Sequence, residues 1–259
     1  LDVQLISNTN IAVSADLLDR MMETVKGPEL RNWCHEVGLL DDNSDFADKK
    51  QRGNSITVRE ARTFIINYFL GNSVIDFEKE KTDGVIAKTG GNDEDWDKLK
   101  EEHPEMWNDK KLKEAGIAFA KLAKKQKEYF AEDGKKPSRE YADKAFNYAI
   151  IASWAFVAGL LSENDVRRIR HFELPEHSKK DPLNAEALAS ARHKSDPENY
   201  RGLGTRTDAK ERGRLIELFY LQAEEGKGIT KAHINLALSK YFAKQANLEV
   251  QKIEKKVRR

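Results

Sequence analysis

At 259 residues, with 39% hydrophobic and 34% charged side chains, the chain can bury a substantial core and lacks the apolar poverty of disorder. A formal net charge of +1 excludes a global field that would draw it onto nucleic acid, so any such binding must come from a local patch. The only cysteine, Cys34, excludes an intrachain disulfide and makes a reducing compartment, the cytoplasm, the expected location.

Leu1, Val3 and Leu5 alternate with Asp2 and Gln4, predicting a short strand over 1–6. A lone strand leaves its backbone unpaired, so its neighbours are expected on another copy or outside this chain. The abrupt start at Leu1, without methionine, adds the expectation of the C-terminal part of a longer protein. Ser14 caps a predicted helix whose apolar face is Leu17, Leu18, Met21, Met22 and Val25. Gly27-Pro28 ends it and starts a second helix over Glu29–Val37. Thr57 caps a third, with Val58, Ala61, Phe64, Ile65, Tyr68 and Phe69 on one face and a stop at Gly71.

Residues 72–108 read as a polar excursion holding one short helix. Within it, Asp93 to Glu105 carries seven acids and two lysines. Helical periodicity returns over Asp109–Phe130. Pro137-Ser138 opens the most hydrophobic helix, Arg139–Leu161; its apolar run Ala145–Leu161, broken by Asn147, Tyr148 and Ser153, is shorter than the roughly 20 apolar residues of a membrane span and reads as a core helix. Ser162, Asp181-Pro182 and Asp196-Pro197 mark further starts. Asp208 and Glu211 form a capping-box pattern for a helix ending near Gly226. Thr230 caps the last helix, whose stripe runs Ile234, Ala237, Leu238, Tyr241 and Leu248, then drifts to Val250, Ile253 and Val257. Lys240 to Arg259 carries seven bases and two acids, the opposite balance to the acidic excursion. The expected fold is mainly α, a multi-helix globular bundle with at most a short N-terminal strand. Its expected parts are residues 1–75, a connecting excursion 76–108 and a C-terminal helical domain 109–259.

The densest candidate site is Asn199–Arg214, where three glycines stand among four arginines and one lysine. Glycine lets a backbone approach a partner closely, and guanidinium groups suit phosphate. The candidate nucleic-acid contacts are Arg192, Lys194, Tyr200, Arg201, Arg206, Lys210 and Arg214, with Tyr200 placed to stack on a base. The plainer reading is a helix lead-in. Asp208 and Glu211 would make the helix start locally negative, arguing against a phosphate seated there and leaving side chains as the contacts.

His35, His103, His171, His177, His193 and His233 show no metal-ligand spacing, and Cys34 has no thiol partner, so no metal is assigned. Cys34 reads as a core cysteine. No Walker, dinucleotide or serine-nucleophile motif is present. Neither a cofactor nor a catalytic residue is assigned.

The order of strand, Asn8-Thr9-Asn10, Val13-Ser14, Leu17-Leu18-Asp19-Arg20-Met21, then Gly27-Pro28-Glu29-Leu30 and Gly38-Leu39-Leu40, resembles the segment following the signature motif in DGQHR-domain proteins. That group is related to the ParB-like fold and includes DndB-type proteins of DNA phosphorothioation and related DNA-modification or phage-defence clusters. The resemblance covers residues 1–71, and the DGQHR pentapeptide itself is absent from this chain. It implies a DNA-associated accessory or regulatory role, with Asn8 and Asn10 lining a site. Two further readings stand beside it. One is a helical interaction or oligomerisation module without nucleic-acid binding, using the long last helix and the oppositely charged ends. The other is a fragment of a ParB-like nuclease or nucleotide hydrolase.

Overall fold

Caps and apolar periodicity are realised as a succession of helices. The computed structural model describes residues 15–48, 56–74, 77, 87–132, 139–192 and 202–258. In chain order these form α1 (Ala15–Lys26), α2 (Glu29–Glu36), α3 (Val58–Asn72), α4 (Asp93–Glu102), α5 (Lys110–Glu132), α6 (Arg139–Ala142), α7 (Tyr148–Leu160), α8 (Asp165–Phe172), α9 (Leu174–His177), α10 (Ala185–Ala189), α11 (Ala209–Glu225) and α12 (Lys231–Val257). Single 3-10 turns lie at Met106–Asn108 and Lys144–Phe146. The described residues contain no strand, and the fold is mainly α. The strand expected over 1–6 and the helix starts at Ser14, Ser138 and Asp196 lie outside them.

The centre is the crossing of α3 and α7, the most extensive helix contact among the described residues. Thr57 opens α3 with a full capping box: its hydroxyl accepts the Glu60 N–H at 3.2 Å, and the Glu60 carboxylate accepts the Thr57 N–H at 2.9 Å. The helix ends at Asn72, one residue past the stop expected at Gly71, and Gly71 has a second role. It lets α7 approach: a Cβ there would overlap the Phe156 carbonyl, and one at Gly159 would overlap the Tyr68 carbonyl. Phe64, Phe119 and Trp154 cluster beside the crossing, with centroids 5.2–6.0 Å apart.

The single long helix expected over Arg139–Leu161 is broken. The Asn147 side chain captures the Ala149 N–H at 2.8 Å and starts a fresh helix after the 3-10 turn. Every residue of α7 from Ala149 to Gly159 is buried, since α3 covers one side and α11 another. Among the described residues, no helix is long and apolar enough to cross a membrane. Cys34 is a core residue, and burial pushes its thiol pKa up.

The first helix is inside out relative to its sequence reading. Its acids Asp19 and Glu23 are 7% and 6% exposed, whereas Met21 is 56% and Val25 81% exposed. Leu18 and Met22 are exposed as well. The reason lies on α3. Arg59 and Arg62, one turn apart, meet Asp19 and Glu23, and Arg62 also donates to Asp93 of α4 at 2.8 Å. Arg62 is 1% exposed and lies over the Trp96 ring, its guanidinium carbon 5.7 Å from the centroid. A guanidinium buried at that depth requires carboxylate partners, and the more deeply buried of its two, Glu23, is on α1. The apolar stripe is consequently left facing outward.

Candidate functional site

The glycine-rich loop folds onto its own chain. Gly202, at φ 78°, donates its N–H to the Ala191 carbonyl at 3.0 Å, and Leu203 donates to Leu188 at 2.8 Å. Gly204, at φ 72°, and Thr205 both donate backbone N–H groups to the Glu211 carboxylate, the latter at 3.3 Å. Asp208 accepts the Glu211 N–H at 3.0 Å, so half of the expected capping box is present. The other half is diverted, because Glu211 holds the loop instead of the Asp208 N–H. The glycines therefore permit close approach to the protein's own backbone, and the donors that a phosphate would need are occupied.

The basic side chains of this stretch disperse. Arg214 is 2% exposed and lies inside, its guanidinium carbon 5.6 Å and 5.3 Å from the ring centroids of Tyr241 and Phe242. This corrects its assignment as a phosphate contact: the aromatic pair on α12 draws the guanidinium inward. Arg212 donates to the Ala87 carbonyl at 2.7 Å and to the Thr207 carbonyl, and burial pulls its pKa down. Arg206 is exposed and pairs with Asp208 at 3.3 Å. Lys210 is exposed on the first turn of α11, and Arg192 is exposed beyond the end of α10. Lys194, Tyr200 and Arg201 lie outside the described residues, as do Asn8 and Asn10. Only Arg192, Arg206 and Lys210 thus reach the surface among the described candidates.

Other polar clusters are mutually satisfied. His171 is wholly buried against Trp154, ring centroids 4.4 Å apart; it bonds the Trp154 carbonyl at 3.1 Å, and burial pushes its pKa down to about 4. It is a neutral core histidine. Gln126 is fully buried, donating to the Tyr141 carbonyl and to Asp181 while its own carbonyl accepts from Leu183. Among the described residues, no three His, Cys, Asp or Glu groups come together as a metal site would need.

Two surfaces remain open. One is the free end of α12. Up to Lys244 the helix is tied to α11: Ile234, Ala237, Leu238 and Tyr241 are buried, and Lys240 and Lys244 pair with Glu224 and Glu217 at 3.4 Å and 2.6 Å. From Glu249 to Arg258 every residue is exposed, a length of about 15 Å at helical rise. Along it Val250, Ile253 and Val257 share one face at i, i+3, i+7, with Val257 80% exposed. Lys255, Lys256 and Arg258 flank that stripe. The drift of the stripe beyond Leu248 was the sequence signal for this end.

The second surface is formed by α1 and α4. Lys26 at the end of α1 meets Asp93 and Asp97 of α4 at 3.5 Å and 3.9 Å, so the two helices adjoin at that end. A cleft of about 300 Å³ opens there over Leu30, Trp96 and Met106, with Trp107 on its wall. No sequence signal marked this surface, because periodicity reports that a helix has two faces and not which one is inside. Comparison with protein-family models, with curated proteins and with solved structures finds no match to this chain.

Proposed function

We propose that the chain is a helical interaction module whose docking element is the free end of α12. The observation that carries this reading is the exposed Val250, Ile253 and Val257 stripe on a helix extending past its ion pairs with α11 at Lys240 and Lys244. Exposed branched aliphatic residues at helical spacing are what a helix-in-groove contact uses. The packed body, from the α3–α7 crossing to α11, then serves to present that end rigidly.

The test is a pull-down comparing the wild-type chain with Ile253→Asp and with a control substitution at another exposed position, Lys110→Asp. Proteins retained by wild type and control but lost with Ile253→Asp are the expected result. Identical profiles for all three would overturn the reading.

A DNA-associated role is the competing outcome. It is supported by the resemblance over residues 1–71 and by Lys255, Lys256 and Arg258 on the α12 end. Duplex and single-stranded DNA titrated at two salt concentrations measure it, since phosphate contacts make affinity fall steeply with salt. DNA binding that survives Ile253→Asp and disappears with Lys255→Ala/Lys256→Ala would replace the interaction module with an accessory of a DNA-modification system.

A further inference from the structure

We infer that the partner of the α12 end is a second copy of this chain, docked on its α1/α4 surface in a head-to-tail contact. The inference rests on the reading of α12 as the docking element, and three features of the two surfaces support it. The first is apolar complementarity: Val250, Ile253 and Val257 on one side, Leu18, Met21, Met22 and Val25 on the other, both at helical spacing. Methionine side chains suit such a receiving face, being unbranched and adaptable.

The second is charge. Lys26 and Lys100 near the cleft are answered within the chain by Asp93 and Asp97, Lys100 meeting Asp97 at 2.9 Å. Glu94 and Glu101 on the exposed side of α4, and Glu29 at the cleft, have no ion-pair partner among the described residues. On the α12 end the same is true of three cations, Lys255, Lys256 and Arg258, and of one carboxylate, Glu254, so the cations are in excess. Unpaired cations on one surface thus face unpaired carboxylates on the other, which favours this pairing over α12 against its own copy.

The third is length. The twelve residues of α1 span about 18 Å, against about 15 Å for the exposed end of α12. The two surfaces belong to different helices on different parts of the body, α1 against α3 and α12 against α10 and α11. The contact is therefore heterologous, and each docked copy offers a further free surface. One helix pair buries less than a standard interface, so association is weak and visible only at high loading.

The experiment is sedimentation of the purified chain from micromolar to near-millimolar loading, at low and high salt. The expected wild-type result is a mass that rises with concentration past the dimer and falls back with salt. Ile253→Asp and Met21→Asp, both at exposed positions, each abolish the rise while leaving the circular dichroism spectrum unchanged. Mixed one to one, the two variants each keep one intact surface and form a pair that goes no further. That complementation distinguishes head-to-tail docking from any symmetric contact. A rise abolished by Ile253→Asp but untouched by Met21→Asp would overturn the α1/α4 surface while leaving α12 as the docking element. A single-chain mass at every loading would overturn the second copy, and the pull-down then decides the α12 reading separately.

Discussion

Two helices pack against α3 by opposite means. α7 meets it through glycines, aliphatic groups and aromatic rings, with backbones nearly touching at Gly71 and Gly159. α1 meets it through carboxylates inserted against Arg59 and Arg62, and turns its apolar side away. The first contact depends on dispersion and the exclusion of water; the second depends on charges taken out of water. The difference teaches that one helix can be the centre of a core on one flank and an ionic dock on the other. Conditions that loosen one contact should spare the other.

The largest effect expected is at the crossing. Gly159→Leu places a side chain in the Tyr68 backbone and should cost upwards of about 4 kcal/mol, read as loss of cooperative unfolding in a denaturant titration. Glu23→Ala removes one carboxylate from Arg62 and leaves Asp93 as its remaining partner. A loss near about 3 kcal/mol is expected, the lower end for breaking a buried pair, with hydrogen exchange accelerated in α1 and not in α7.

Acid sharpens the comparison from the other side. His171, pressed on Trp154 of α7, is neutral in the fold with its pKa near 4, whereas the unfolded chain takes up that proton below about 6.5. Its contribution is intact above pH 6.5 and is lost as pH falls toward 4, a total of about 3 kcal/mol. His171→Gln should flatten that part of the pH profile. Asp93 behaves differently: burial opposes its ionisation, but the hydrogen bond from Arg62 prevails and holds its pKa below the usual carboxylate range. The Arg62–Asp93 pair therefore persists through this window and weakens only at lower pH. Smallest of all, Ile253→Asp should change stability by no more than about 0.5 kcal/mol, because that residue is exposed in the fold, although it removes association.

Much of the helical order was legible because caps are local. Thr57 and Thr230 accept the N–H groups three residues on, as their spacing predicts. Gly226 at φ 63° ends α11 where a glycine was expected to. What was hidden depended on distant residues. The inward face of α1 is decided by arginines forty positions away, and the fate of Arg214 by an aromatic pair on the following helix. Charge density in the Arg-Gly stretch pointed outward only under the assumption that a guanidinium stays in water. Tyr241 and Phe242 remove that assumption. In the candidate site, the uncovered end of α12 was visible as drifting periodicity, whereas its proposed counterpart on α1 needed three dimensions.

The burial of α7 on all sides has a consequence during biosynthesis. At roughly 5–20 residues per second, several seconds separate the emergence of this helix from that of α11, which supplies one of its covering walls. Through that interval a nascent chain carries an oily segment with α3, α5 and α8 available to shield it but not α11. Slowed elongation between the two helices, or a shortage of holdase chaperones, is therefore where production of this protein should falter first.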